Sequence, residues 1–132
     1  MSRENVEIVR RAYLRVLAGE RGPVPGFFHP DAEYYTLPID PDAAVHRGID
    51  EIARHFRDWG EAFSDLRSEP VEIKGNGDSV FVWVRLTGYG TSSGLPVELE
   101  YAGVWTLREG KVIRVVEYVD RADALKAVGL EE

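Results

Sequence analysis

Residues 79–120, SVFVWVRLTGYGTSSGLPVELEYAGVWTLREGKVIRVVEYVD, decide the fold. They divide into three β-rich runs, Val80 to Tyr89, Val97 to Leu107 and Val112 to Val119. The separators are Thr91 to Pro96 and Arg108-Glu109-Gly110-Lys111, rich in residues that supply tight-turn geometry, so the runs read as consecutive antiparallel strands. Upstream, Val71 and Ile73 mark another strand, and Gly75-Asn76-Gly77-Asp78 supplies the positive-φ residues of a hairpin into Val80. Strands this long twist and curl, which predicts a sheet with a concave face.

The rest of the chain reads as helices that fill that face. Val6, Val9, Tyr13, Val16 and Leu17 recur at helical spacing behind a Ser2 cap with Glu4 in the first turn. Gly19 and the cluster Gly22, Pro23, Pro25, Gly26 stop that helix and leave room for a short helical turn around Val24 to Phe28. His29-Pro30-Asp31 reads as a structural turn into a strand at Ala32 to Leu37, where Tyr34 and Thr36 share one face and Glu33, Tyr35 and Leu37 the other. Pro38 and Pro41 end it. From Gly48 to Ser64, Ile49, Ile52, Phe56, Trp59 and Phe63 form the apolar stripe of a second long helix. Asp120 caps a last short helix that turns Ala124, Leu125 and Val128 inward and stops at Gly129. Helices followed by a meander predict an α+β domain: a curved antiparallel sheet wrapped around amphipathic helices, a cone-shaped half-barrel with a central pocket.

Composition bounds the rest. A chain of 132 residues with 44% apolar content holds one domain, 1–132, around one core. Lys plus Arg is 16 against 23 for Asp plus Glu, a net charge of -7, and no basic cluster interleaves with aromatics, which argues against nucleic acid and anionic membranes as partners. With no Cys there is no disulfide, thiolate nucleophile or thiolate metal site, and the charged start MSRENVEIVRR predicts a cytoplasmic protein. No apolar run approaches the ~20 residues that span a bilayer.

In this order the elements carry recognisable stretches: His29-Pro30-Asp31, Arg47-Gly48-Ile49, Ala62-Phe63-Ser64-Asp65-Leu66 at the end of the second helix, Val104-Trp105-Thr106-Leu107 before Gly110-Lys111-Val112, and Glu117 to Asp120. The arrangement resembles the SnoaL-like branch of the nuclear-transport-factor-2-like superfamily over nearly the whole chain. That superfamily includes ketosteroid isomerase, scytalone dehydratase, limonene epoxide hydrolase, polyketide cyclases and non-catalytic binding or dimerising domains. The resemblance to ketosteroid isomerase places Tyr13 where that family keeps its oxyanion-donating tyrosine. It places Thr36 at the general-base position and Ala102 or Gly103 at the second donor, so ketosteroid isomerisation is not expected. The scytalone dehydratase pattern needs pocket histidines, and His29, His46 and His55 lie on no predicted sheet strand. The polyketide cyclase pattern, an acid on the last strand three residues before the terminal Asp, falls on Glu117.

On the last strand Ile113, Val115, Glu117 and Val119 share a face. Glu117 therefore points a carboxylate into an apolar concavity, where desolvation favours its protonated form as acid–base catalysis requires, or pairs structurally with Arg85 or Arg114, or else this face turns outward to a partner subunit. Tyr101, Gly103 and Trp105 read as cavity lining or as core aromatics. Phe81, Trp83, Arg85, Thr87 and Tyr89 read as a wet pocket or a sheet-to-sheet contact, with Trp83 and Tyr89 favouring a homodimer. His46 and His55 are placed at the surface or rim. No phosphate-loop, dinucleotide, nucleophile-elbow or zinc-protease pattern is present.

These residues, with the resemblance, imply a SnoaL-like enzyme doing proton transfer on a small hydrophobic, oxygenated ring compound, of isomerase, cyclase or lyase type. Glu117 and Tyr13 are the candidate catalytic pair. Tyr34, Trp59, Phe63, Tyr101 and Trp105 are expected to shape the pocket, with Arg85 or His46 near its mouth. Neither a metal nor an organic cofactor is expected. The alternative is a non-catalytic ligand-binding or dimerisation module of the same fold.

Overall fold

The computed structural model describes residues 2–17, 26–37 and 45–130, without the side chains of Ser2, Val16 and Leu17. The elements are α1 (Ser2–Leu17), β1 (Phe28–Tyr35), β2 (Val45–Arg47), α2 (Gly48–Ala62), β3 (Phe63–Asn76), β4 (Ser79–Gly90), β5 (Pro96–Arg108), β6 (Lys111–Tyr118) and α3 (Arg121–Ala127). The predicted Ser2 cap and the Pro38 and Pro41 stop lie outside the described residues, as do Val24 and Pro25 of the predicted helical turn, whose described part is a turn at Gly26 and Phe27 with Phe28 opening β1.

All six strands form one curved, open sheet in the order β2-β1-β6-β5-β4-β3. β3 to β6 make the predicted antiparallel meander. Its turns follow the local chemistry: the β3–β4 loop has Gly77 at φ 60°, and the β5–β6 loop places Glu109 at φ 51° and Gly110 at φ 78°, the two positive angles of a type I′ turn. β1 then joins β6 in parallel, with Tyr34 beside Val115, which makes the sheet mixed. A short β2 covers the free edge of β1, His46 opposite Tyr34.

Four local readings are corrected. The His29-Pro30-Asp31 stretch lies inside β1, at a register shift between Phe28 and Glu33. There Pro30 has no N–H to give to a ladder, and the Asp31 N–H donates to His29 Nδ1 at 3.0 Å. Phe63 opens β3 and is not on α2, because the chain turns extended at that residue (φ -131°, ψ 141°). β3 is much longer than Val71 to Ile73, running from Phe63 with an irregularity at Asp65, whose φ is 53°. Finally, a register shift at Thr106/Leu107 puts Val112 rather than Ile113 in the core beside Val115, while Val119 lies beyond the strand, 49% exposed.

Alternation along the strands sorts side chains between two faces. The concave face carries Val80, Val82, Val84, Leu86, Tyr101, Trp105 and Val115, closed by Val9 and Tyr13 of α1 and Ile52 of α2. Asn5 of α1 is buried and donates from Nδ2 to the Gly77 carbonyl at 3.1 Å, which ties the helix to the β3–β4 turn. α3 does not turn inward to this core: Ala124, Leu125 and Val128 pack on the opposite face, over Phe81, Ala102 and Val104. Asp120 caps it as predicted, accepting from the Asp123 N–H at 3.1 Å.

Arg121, at the start of α3, donates to Glu72 of β3, which also meets Lys74 Nζ at 3.1 Å. The Arg121 hydrogen bond, ahead of the Lys74 contact, holds the Glu72 carboxyl below the usual glutamate range. A depressed folded-state value stabilises the fold above the unfolded-chain pKa and loses that contribution as pH falls through the folded value. Glu72→Gln should therefore cost about 1 kcal/mol or less near neutral pH, since the pair is about one-third exposed, and nothing at low pH. Thermal unfolding of both proteins at pH 7 and at about pH 3 checks this, and a difference that persists in acid would contradict it.

Candidate functional site

The site is built around Glu117, which β6 places on the concave face opposite Gly103 of β5. Gly103 gives the rings room there: a Cβ would stand 3.1 Å from Trp105 Nε1, so the indole would have to shift by a few tenths of an ångström, and 3.5 Å from the Tyr13 hydroxyl. The Glu117 carboxylate is held from two sides. The Tyr34 hydroxyl donates to Oε2 at 2.6 Å, and the Leu37 N–H donates to Oε1 at 3.0 Å. Leu37 can do so because β1 ends at Tyr35, which frees its N–H from any strand ladder and lets its side chain turn into the core, 4% exposed. The expected partners Arg85 and Arg114 lie elsewhere. Arg85 is on the opposite face, bonded to Glu98 at 2.7 Å, and the Arg114 guanidinium sits 4.8 Å over the Tyr35 ring.

Beside Glu117 a cavity of about 70 Å³ opens between α2 and the sheet. Tyr34 and Leu37 form one wall, His55, Phe56 and Trp59 of α2 another, and Leu86, Leu99, Tyr101 and Glu117 the sheet side, with Leu66 and Ser68 of β3 at the end. α1 does not line it. The rings brace one another: Phe56 meets Tyr34 edge-on at 5.3 Å and 85°, and His55 lies 5.5 Å from Tyr34.

Burial pushes the Tyr34 and Tyr101 hydroxyls well above the ordinary tyrosine range, and the negative charge of Glu117 raises both further. Tyr13 is raised for the same first reason; the nearby Trp105 indole partly offsets this, and Glu117 adds to it. Among the described residues the Trp105 N–H nonetheless reaches no acceptor in hydrogen-bond geometry. All three hydroxyls therefore stay protonated at neutral pH, as donors to an electron-rich oxygen.

Of the residues singled out from sequence, Glu117, Tyr34, Trp59 and Tyr101 meet at one cavity. Tyr13 and Trp105 pack together below it, ring centroids 5.6 Å apart at 64°. Phe63 stacks on Trp59 at 5.1 Å without lining the space. His46 stacks on His55 at 4.5 Å and 26°. Among the described residues no three His, Asp or Glu side chains converge as metal ligands, and no helix is long and apolar enough to cross a membrane.

His55, Phe56 and Leu37 are the main residues of the site that sequence reasoning missed or misplaced. His55 was recoverable: it lies three residues after Ile52 and four before Trp59, on the same stripe of α2. Leu37 carried no such signal, since its role depends on where β1 ends.

Comparison with known proteins supplies context for this geometry. Residues 9–115 match a family model described as the SnoaL-like domain. No curated protein matches the chain. Among solved structures, a protein from Jannaschia described as a SnoaL-like polyketide cyclase is similar at 21% identity and a TM-score of 0.75, covering 99% of this chain and 95% of that one. A nuclear-transport-factor-2-like protein from Burkholderia xenovorans has 28% identity and a TM-score of 0.73, with 97% of each chain covered. TerC, co-crystallised with polyporic acid, has 21% identity and a TM-score of 0.74, covering 95% of this chain and 97% of its own.

Proposed function

The chain belongs to the SnoaL-like domain family, and we propose that it is a proton-transfer enzyme acting on a small, hydrophobic, oxygenated ring compound. The observation that carries the reading is the Glu117 carboxylate, oriented by two donors at one side of an apolar cavity. A base in that setting needs no reorganisation to meet a C–H bond of a bound ring. Glu117 takes a proton from the carbon next to a carbonyl. Tyr101, a protonated hydroxyl on the cavity wall, donates to the oxygen on which charge develops. Tyr13, the donor that the family resemblance suggests, acts one layer deeper by supporting the floor with Trp105. Trp59 and Phe56 clamp the apolar part of the ring, and Phe63 and His46 back the aromatic residues that line it. The reaction as written uses no metal or organic cofactor.

A small cyclic ketone is the probe. Cyclopentanone has six heavy atoms, an apolar ring and an acidic C–H next to its carbonyl. Its hydrogen–deuterium exchange in D₂O, followed by proton NMR, is expected to be about 10²-fold faster or more with wild type than with Glu117→Gln. Equal rates would overturn the assignment.

We also propose a homodimer through the outer sheet face near Tyr89, which is 47% exposed, with Trp83 at its margin half-covered by the α3 cluster. Light scattering should give about twice 14.8 kDa at micromolar concentration; a mass at 14.8 kDa that does not change with concentration would contradict it.

A further inference from the structure

Acid–base catalysis at a carbonyl runs best with two titratable groups of different character, one taking a proton while the other gives one. The second group is visible in the cavity. His55 of α2 and Glu117 of β6 line the same space from opposite elements, and Tyr34 bridges them, its hydroxyl 2.6 Å from Glu117 and its ring 5.5 Å from the imidazole. The imidazole is also held in plane: His46 of β2 stacks on it at 4.5 Å and 26°, while Phe56 and Trp59 flank it at 5.7 Å and 6.2 Å. From this juxtaposition we infer that His55 is the general acid that completes the site, and that His46 is a positioning residue for it.

The inference rests on the proton-transfer reading above and deepens it. In the step, the C–H bond beside the carbonyl breaks and its proton passes to the Glu117 carboxylate. The C–H electron pair becomes the C=C bond of an enol, and the carbonyl π pair moves to oxygen. That oxygen takes a proton from the His55 imidazolium, leaving neutral imidazole. The reverse sequence returns both protons, at the same or another carbon, so no other reactant is consumed. The titratable groups that face His55 include Tyr34 from β1, His46 from β2, and Tyr101 and Glu117 across the cavity, with Glu51 and Asp58 one turn away on α2.

The test is the pH profile of cyclopentanone exchange, read with the imidazole NMR titration of His55. Wild type should give a bell, its acid limb from Glu117 and its alkaline limb from loss of the His55 proton. His55→Gln, which keeps a polar side chain of similar reach, should lower the rate about 10²-fold and abolish the alkaline limb. His46→Phe should keep the stack, most of the rate and the bell shape of the profile, whereas His46→Ala should lower the rate. In Glu117→Gln the His55 titration should move to lower pH, since a facing negative charge is removed. Exchange that survives in His55→Gln with an unchanged alkaline limb would overturn the role of His55 alone. Absence of wild-type exchange would overturn the proton-transfer reading and the role of His55 with it, and an unmoved His55 titration would show that the two groups do not share one site.

Discussion

Phe81→Ala is expected to destabilise the protein by about 3–5 kcal/mol, the range for removing a large aromatic from a closed core. Phe81 lies on the face of β4 turned away from the cavity, yet it is fully buried, because α3 brings Ala124, Leu125 and Val128 down on it. The Arg121 guanidinium adds a contact 5.5 Å from the ring. Alanine would leave a void that a seven-residue helix, capped at Asp120 and tied at Glu72, cannot follow inward without breaking both contacts. Thermal or denaturant unfolding checks the magnitude, with a fall in Tm of roughly 10 °C or more. A loss below about 1 kcal/mol would mean that α3 is not docked on this face in solution. The cavity is on the other side of the sheet, so cyclopentanone exchange by the folded variant should stay near the wild-type rate.

The second large effect separates size from hydrogen bonding at Glu117. In Glu117→Ala the Leu37 N–H and the Tyr34 hydroxyl lose their acceptor while both residues remain at most 5% exposed. At ~1–3 kcal/mol for each stranded donor, less what is regained by not burying a carboxylate, a loss of about 2–4 kcal/mol is expected. Glu117→Gln behaves differently, because its oxygen still accepts from Leu37 and its amide can donate to a Tyr34 oxygen that turns its proton away. That variant should lie within about 1 kcal/mol of wild type, and yet be inactive, since an amide takes no proton. Urea unfolding of the three proteins makes the comparison. An Ala variant as stable as wild type would mean that the two hydrogen bonds do not form, and a Gln variant as damaging as Ala would locate the stabilisation in the charge.

How much of this was legible in advance depends on the range over which each feature is encoded. The meander from β3 to β6 and the two long helices follow from alternation, helical spacing and turn residues, all written within a dozen neighbours. So does the placing of Tyr101, Gly103 and Trp105 on one face of β5, since a strand's two faces are set by parity; that Glu117 joins them depends on the register shift at Thr106/Leu107, which sets it opposite Gly103. The same parity put Arg85 on a face with Phe81, away from Tyr101 and Glu117. Reading Arg85 near the cavity mouth failed because nothing in parity says which face will be concave.

The remaining features were settled by contacts between distant residues. Tyr34 and Glu117 are 83 positions apart, and Leu37 and Glu117 are 80 apart. Their meeting requires β1 to lie parallel beside β6, a pairing that no turn between the two strands could signal, because the chain passes through α2 and four other strands on the way. The covering of Phe81 by α3 is of the same kind. Local chemistry chose the elements and their faces, since backbone geometry and side-chain parity act between near neighbours. Which carboxylate is held, by which donors and beside which imidazole was decided only when the elements packed, because hydrogen bonds and ring contacts depend on distances in space and not on separation along the chain.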